Sequence, residues 1–275
     1  MAREITMKEG IIIAVANNKG GVGKSSISLN LAHSLSCRKK NVLLVDLDAQ
    51  ANSTSVALPF ELDENDTLYE LFSDPDIHPQ RCIVPTPYPR LDCLPNVYQT
   101  GSLEPDMLGN LPENFFILRN KLRDYAKDKY DFVVMDTPPN VGYFCLSALY
   151  TADFVIVPIL AGSTFSVEGL KKALELINDI RKKGNPDLKF LRLLINGTDK
   201  RTMMSKLCID QLYKNFDDSW IFKTQIPTSS VFQKSEHQQK SVIRYDPSAP
   251  GSRAIRTLTD EFFSILAGGN TDAET

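Results

Sequence analysis

Residues Lys19-Gly20-Gly21-Val22-Gly23-Lys24-Ser25 constrain this chain more than any other part of it. They follow an apolar run, Ile11 to Ala16, and open an amphipathic stretch that ends near Arg38. A strand, a glycine turn and a helix start in that order form a cradle for phosphate. The glycines let the backbone curl so that successive N–H groups converge, and the helix N-terminus adds partial positive charge. Lys24 and Ser25 then offer a cation and a hard oxygen ligand for Mg2+. The expected cradle runs from Lys19 through Ser26.

The common phosphate-loop pattern, G-x-x-x-x-G-K-[ST], needs a glycine where this chain has Asn18. Beside that position stands a second lysine, Lys19, giving the deviant Walker A order K-G-G-x-G-K-[ST]. One lysine suffices to hold the β- and γ-phosphates within a monomer. A lysine at the mouth of the loop is therefore available to reach the phosphates of a facing subunit.

Short β-rich runs recur along the chain: Ile11 to Ala16, Val42 to Asp46, Leu91 to Leu94, Phe132 to Asp136, Phe154 to Ile159 and Phe190 to Asn196. Several are almost wholly apolar, as strands buried on both faces of a parallel sheet should be. Between them, Val167, Leu170, Leu174, Ile177 and Ile180 make a helical stripe that predicts packing on the sheet. Ile255, Leu258, Phe262 and Ile265 describe a final core helix. Alternating strands and helices predict an α/β fold, a doubly wound, mostly parallel sheet with helices on both faces. Eight of the sixteen prolines fall between Pro75 and Pro112, so that segment is expected to be loops around one strand.

With 275 residues, 42% hydrophobic and 24% charged, the chain has material for one full core. A single domain over 1–275 is expected, with a polar tail from about residue 268. No apolar run reaches the length of roughly 18 to 20 residues that spans a membrane, and Met1 to Gly10 lacks the apolar stretch of a signal peptide. These features predict a cytoplasmic protein. The five cysteines (Cys37, Cys82, Cys93, Cys145, Cys208) lack metal-ligand spacing and read as reduced small hydrophobes. His33, His78 and His237 are isolated and read as packing or surface residues.

In open α/β sheets ligands sit beyond the carboxyl ends of the strands. Two apolar runs end there in acids: Val42 to Val45 leads into Asp46-Leu47-Asp48, and Phe132 to Met135 into Asp136. A strand-borne Asp136 suits the Mg2+ or a metal-bound water. Asp48 is the candidate for orienting an attacking water, and Asp46 is expected closer to the metal shell. No N-K-x-D sequence provides a guanine reader, so adenine is the expected base.

Three blocks, Asn17 to Ser25, Val42 to Gln50 and Phe132 to Pro139, resemble the deviant Walker A, switch I and switch II segments of ParA/MinD-type P-loop ATPases, ParA most of all. Ala152 to Pro158, Ile226-Pro227 and Tyr245 to Ser252 extend the resemblance over roughly residues 10–266. It implies an ATP- and Mg2+-dependent homodimer that binds double-stranded DNA non-specifically, with a weak ATPase stimulated by a ParB-like partner, to segregate a chromosome or plasmid. It also implies roles for Lys19 across the dimer, for Lys24 and Ser25 at phosphate and Mg2+, for Asp48 at water and for Asp136 at the metal. Asn196 and the backbone near Pro227 would frame adenine.

Formal charge is −3 overall, yet residues 199–256 carry ten Lys/Arg against six Asp/Glu. Relatives of this size place arginines just after Ile226-Pro227, where this chain has Thr228 to Phe232. Arg201 matches a family position tied to DNA contact, and Lys234, Lys240, Arg244, Arg253 and Arg256 are the other candidates. A MinD-like positioning ATPase is the alternative reading. No base follows Arg256, which speaks against a basic amphipathic membrane anchor, so no membrane partner is expected. Iron–sulfur ATPases of this class need cysteines at a dimer face, and Cys93 and Cys145 lack the matching context.

Overall fold

The computed structural model describes residues 9–62, 66–161 and 167–268. Its seven strands are β1 (Ile11–Val15), β2 (Val42–Asp46), β3 (Val84–Pro85), β4 (Leu91–Leu94), β5 (Phe132–Asp136), β6 (Phe154–Leu160) and β7 (Lys189–Asn196). They form one sheet in the order β3-β4-β2-β5-β1-β6-β7, parallel except where β3 pairs antiparallel with β4. All six strands expected from sequence are present. The seventh, β3, is two residues long and contains Pro85; it lies at the edge, where a residue without an N–H is tolerated.

Successive strand residues point to opposite faces, and this splits the core in two. Leu43, Val45, Val133 and Met135 face one layer, with helices Tyr143–Thr151 and Val167–Lys183 packed over them. Leu44, Val134, Ile13 and Val15 face the other, under helices Lys24–Cys37 and Pro250–Ala267. The predicted helical stripe buries Leu170, Leu174, Ile177 and Ile180, and the last helix buries Ile255, Leu258 and Phe262. The polar tail expected from about residue 268 lies almost wholly outside the described residues.

Between Pro75 and Pro112 no helix exceeds six residues, as the prolines require. Two of its residues nevertheless matter at the nucleotide end of the sheet. Glu104 Oε1 accepts a hydrogen bond of 2.7 Å from the Tyr143 N–H, capping the helix that follows β5. Gly101 lies against the β2 loop, where an added Cβ would meet Ala49 Cβ at 3.4 Å.

His33, on the Lys24–Cys37 helix, is a core histidine. Its Nδ1 lies 2.5 Å from Ser241 Oγ and its ring packs on Tyr88 at 4.3 Å. Burial, helped by the nearby Arg244, lowers its pKa from 6.5 to about 4. The unfolded chain therefore takes up a proton below pH 6.5 that the folded chain refuses. The full contribution is present above pH 6.5, is lost as pH falls toward 4, and changes no further below that. Over this interval the linkage amounts to about 3 kcal/mol. Urea titrations from pH 7 to 4 should show His33→Gln losing stability less steeply than the wild type; equal slopes would assign the acid sensitivity to other groups.

Candidate active site

β1 ends in the interior at Val15, and the chain then turns through Asn17 to Gly23 before the Lys24–Cys37 helix begins. The turn needs Gly23 for two reasons. Its φ is +91°, which costs an L-residue strain, and an added Cβ would stand 2.3 Å from Asn196 Nδ2. That same Nδ2 donates to the Val22 carbonyl at 2.8 Å, so β7 braces the loop from behind. Asn17 Nδ2 donates to the Pro158 carbonyl at 2.7 Å and ties the loop to β6.

The loop borders a cleft of about 490 Å³, to which it contributes Gly20, Gly21, Gly23, Lys24, Ser25 and Ser26. Leu29, Asp48, Gln50, Asn52, Ser53, Ser55, Val56, Pro139 and Glu236 complete its lining. Lys24 is 6% exposed and its Nζ donates to the Lys19 carbonyl at 3.3 Å. Burial lowers its pKa, while the carboxylates of Asp136 and Asp48 act in the opposite direction. Lys19 itself is exposed, with its N–H donating to Asn17 Oδ1 at 3.0 Å. Its charge is felt at Cys208 on the Met203–Asn215 helix, where Met203, Met204 and Leu207 are exposed.

The acids divide by surroundings. Asp48 lines the cleft, its Oδ1 accepting from the Gln50 N–H at 3.0 Å. Asp136 is buried at the end of β5 and accepts from Ser53 Oγ at 2.7 Å and Ser28 Oγ at 3.4 Å. Burial raises its pKa, and the hydroxyls of Ser53 and Ser25 and the charge of Lys24 oppose the rise. Asp46, expected closer to the metal shell, is held by donors of the protein itself. It is fully buried, its Oδ1 accepts from the Asp48 N–H at 3.1 Å, and its Oδ2 accepts from Thr54 N–H and Oγ1, both at 2.8 Å. Asp46 pairs in register with Asp136 across β2 and β5, so the two carboxylates leave the same face of the sheet, while Asp48 lines the cleft. Burial first, and Asp136 second, push the Asp46 carboxyl above the usual range.

Among the described residues no group of three or more His, Cys, Asp or Glu is arranged to hold a metal unaided. One hydroxyl (Ser25) and one carboxylate (Asp136) do suit Mg2+, which prefers hard oxygens and keeps water and phosphate as its remaining ligands. Asn196 and Pro227 end adjacent segments: Thr198 bridges Pro227, and the Thr198 N–H donates to the Ile226 carbonyl at 3.0 Å.

The basic candidates differ in what already holds them. Arg201, in the turn after β7, is 89% exposed at its side chain and pairs bidentately with Asp199, with Nη2 at 2.8 Å. Arg244, Arg253 and Arg256 come from one continuous segment. Arg244 stacks over Tyr88, Arg253 bonds the Ser248 carbonyl, and Arg256 bonds the Pro247 carbonyl at 2.6 Å. Lys234 and Lys240 are exposed on and just after the Ser230–His237 helix.

Among the polar cleft residues, Gln50, Asn52, Ser53, Ser55 and Glu236 are not singled out by the sequence. The run of small polar residues Asn52 to Ser55, shortly after Asp-Leu-Asp, is the signal for Asn52 and Ser53. Glu236 is the sole acid between residues 219 and 245, a segment otherwise marked by bases.

The AAA domain family matches residues 10–190. The sporulation initiation inhibitor protein Soj of Bacillus subtilis is 31% identical over 92% of this chain and 98% of its own length. The chromosome-partitioning ATPase Soj of Thermus thermophilus is 33% identical over 90% of this chain and 94% of its own. Among solved structures, cobyrinic acid a,c-diamide synthase of Mycobacterium smegmatis, with ADP and magnesium bound, superimposes with a TM-score of 0.79 and 26% identity. That match covers 95% of this chain and 97% of the other.

Proposed function

We propose that this chain, which belongs to the ParA/Soj family of P-loop partition ATPases, dimerises on ATP, binds double-stranded DNA without sequence preference and hydrolyses ATP when a ParB-like partner stimulates it. The observation that carries this reading is the division of labour between two lysines. Lys24 is buried and lines the cleft, whereas Lys19, next to the lining residue Gly20, is exposed.

In this reading the N–H groups of residues 20–26 and the Lys24 ammonium hold the triphosphate. Ser25 and Asp136 hold Mg2+, which supplies positive charge to the phosphate oxygens. Asp48 orients the attacking water in the cleft wall, and Lys19 completes charge neutralisation in the facing subunit. Asn196 and the Pro227 backbone frame adenine, the amide N–H of Asn196 being already engaged by the loop. The apolar Met203, Met204 and Leu207 beside Lys19 support a face that a second copy covers.

Arg201, Lys234, Lys240, Arg244, Arg253 and Arg256 are the proposed contacts to DNA phosphate. No helix of the described residues is long and apolar enough to cross a membrane. A cytoplasmic protein that gathers on the nucleoid in its ATP state is the setting we infer.

The test is binding to arbitrary double-stranded DNA with Mg2+ and either ATP or ADP over a salt series. Binding with ATP alone, blind to sequence and weakening steeply with salt, is expected. Absence of binding in both states would replace DNA by a protein or membrane surface as the track on which cargo is placed.

A further inference from the structure

One short segment, residues 96–104, touches both the chain that follows β2 and the chain that follows β5. The Asn96 N–H donates to Thr54 Oγ1 at 3.0 Å, and that hydroxyl passes the contact on by donating to Asp46 Oδ2 at 2.8 Å. Gly101 lies against Ala49, the residue after Asp48, with room of only 3.4 Å between Ala49 Cβ and a Cβ built on Gly101. At the end of the segment Glu104 Oε1 accepts the Tyr143 N–H at 2.7 Å, in the first turn of the helix after β5. Gly142 must be a glycine there, because a Cβ would run into that same oxygen.

Both loops held in this way contribute to the cleft, the first through Asp48 and Gln50 and the second through Pro139. Neither is secured by its own sequence. Ala51, in the first, has a φ of +52°, a left-handed conformation that strains a residue with a Cβ and persists only where neighbours hold it. In the second, the helix opens at Gly142, which has no side chain to take the N–H groups that the first turn leaves over. Glu104 supplies that acceptor from another part of the chain, with a negative charge that suits a helix N-terminus. We infer that Glu104 is a positioning residue for ATP turnover: through residues 96–104 it makes the Asp48 loop and the loop after β5 take their places together. Glu104 lies outside the lining of the cleft, so it acts through Asp48 and Pro139 and not on the nucleotide. Its part in turnover rests on the reading of the cleft as an ATP site, whereas the linkage between the loops is tested without nucleotide.

Amide hydrogen exchange on the ligand-free protein reads the linkage. Glu104→Ala should speed exchange about tenfold at residues 142–146, the effect of one lost hydrogen bond to a charged acceptor, and at least about threefold at residues 49–54, which Glu104 does not touch. Amides of β1 and β5 should exchange as in the wild type. Glu104→Gln, which keeps an acceptor oxygen, should restore both regions. Coupling between two sites is reciprocal, so Gly101→Val, which presses on Ala49, should speed exchange at residues 142–146; it carries the test from the other end if Glu104→Ala does not fold. Acceleration confined to residues 142–146 in Glu104→Ala would overturn the linkage and leave Glu104 a local cap. Equal acceleration in β1 and β5 would also overturn it, by making the effect a general loss of stability. In turnover, Glu104→Ala should lower kcat about tenfold with ATP bound within about threefold of the wild type, because phosphate is held by the glycine loop and Lys24 while the water depends on Asp48. Glu104→Gln should recover that kcat. Wild-type kcat in Glu104→Ala would overturn the positioning role. Failure of the wild type to bind ATP would overturn the ATP reading and leave the linkage seen by exchange standing.

Discussion

Lys24→Ala should weaken ATP binding at least about a hundredfold and bring ATP turnover down to background. Lys24 is a buried cation, and the charges nearest to it are the carboxylates of Asp136 and Asp48. In the absence of its ammonium, a triphosphate entering the cleft meets two acids with no formal positive side chain between them. Coulomb repulsion in a partly dry site then adds to the lost attraction, and a preorganised donor of this kind is commonly worth a factor of about 10² to 10³ by itself. The ligand-free protein should melt within a few degrees of the wild type, because a burial cost disappears along with the Lys24 to Lys19 hydrogen bond. Calorimetry and phosphate release measure the two effects. Unchanged ATP affinity would remove this cleft as the phosphate site.

The phosphate loop was legible because its chemistry is local. Seven consecutive residues specify the turn, the helix start and the cation, and the strand before them is apolar enough to be read alone. The same holds for β2 and β5, whose acids terminate four-residue apolar runs. What the sequence hid depends on register and on distant chain. Asp46 and Asp48 look equivalent in an Asp-Leu-Asp string, yet one turn of the chain after β2 separates a buried loop brace from a cleft residue. Glu236 reaches the site from a helix 188 positions after Asp48, and no local pattern announces it. The hydrogen bond by which Asn196 braces the loop backbone at Val22 joins residues 174 positions apart. Strand β3 carries too few residues for any periodicity.

The two acids after β2 should fail in different ways when removed, and the contrast tests the division of roles directly. Asp48→Ala takes away a cleft carboxylate whose one resolved internal partner is the Gln50 N–H. Its loss should lower kcat about 10²- to 10³-fold, the usual worth of a residue that orients or deprotonates water, with ATP affinity within about threefold of the wild type. If trapping the ATP state sustains DNA binding, this variant should hold DNA longer than the wild type after ATP addition. Asp46→Ala leaves three buried donors, the N–H groups of Asp48 and Thr54 and the Thr54 hydroxyl, without their acceptor. Relief of repulsion from Asp136 offsets part of that cost, so a net loss of about 2 kcal/mol in unfolding free energy is expected, read as a lower urea midpoint. Phosphate-release kinetics on folded protein and urea melts of both variants separate the outcomes. Wild-type turnover by Asp48→Ala would transfer the water-orienting role to another cleft residue. A fully stable Asp46→Ala that had lost turnover would give Asp46 a direct part in the chemistry.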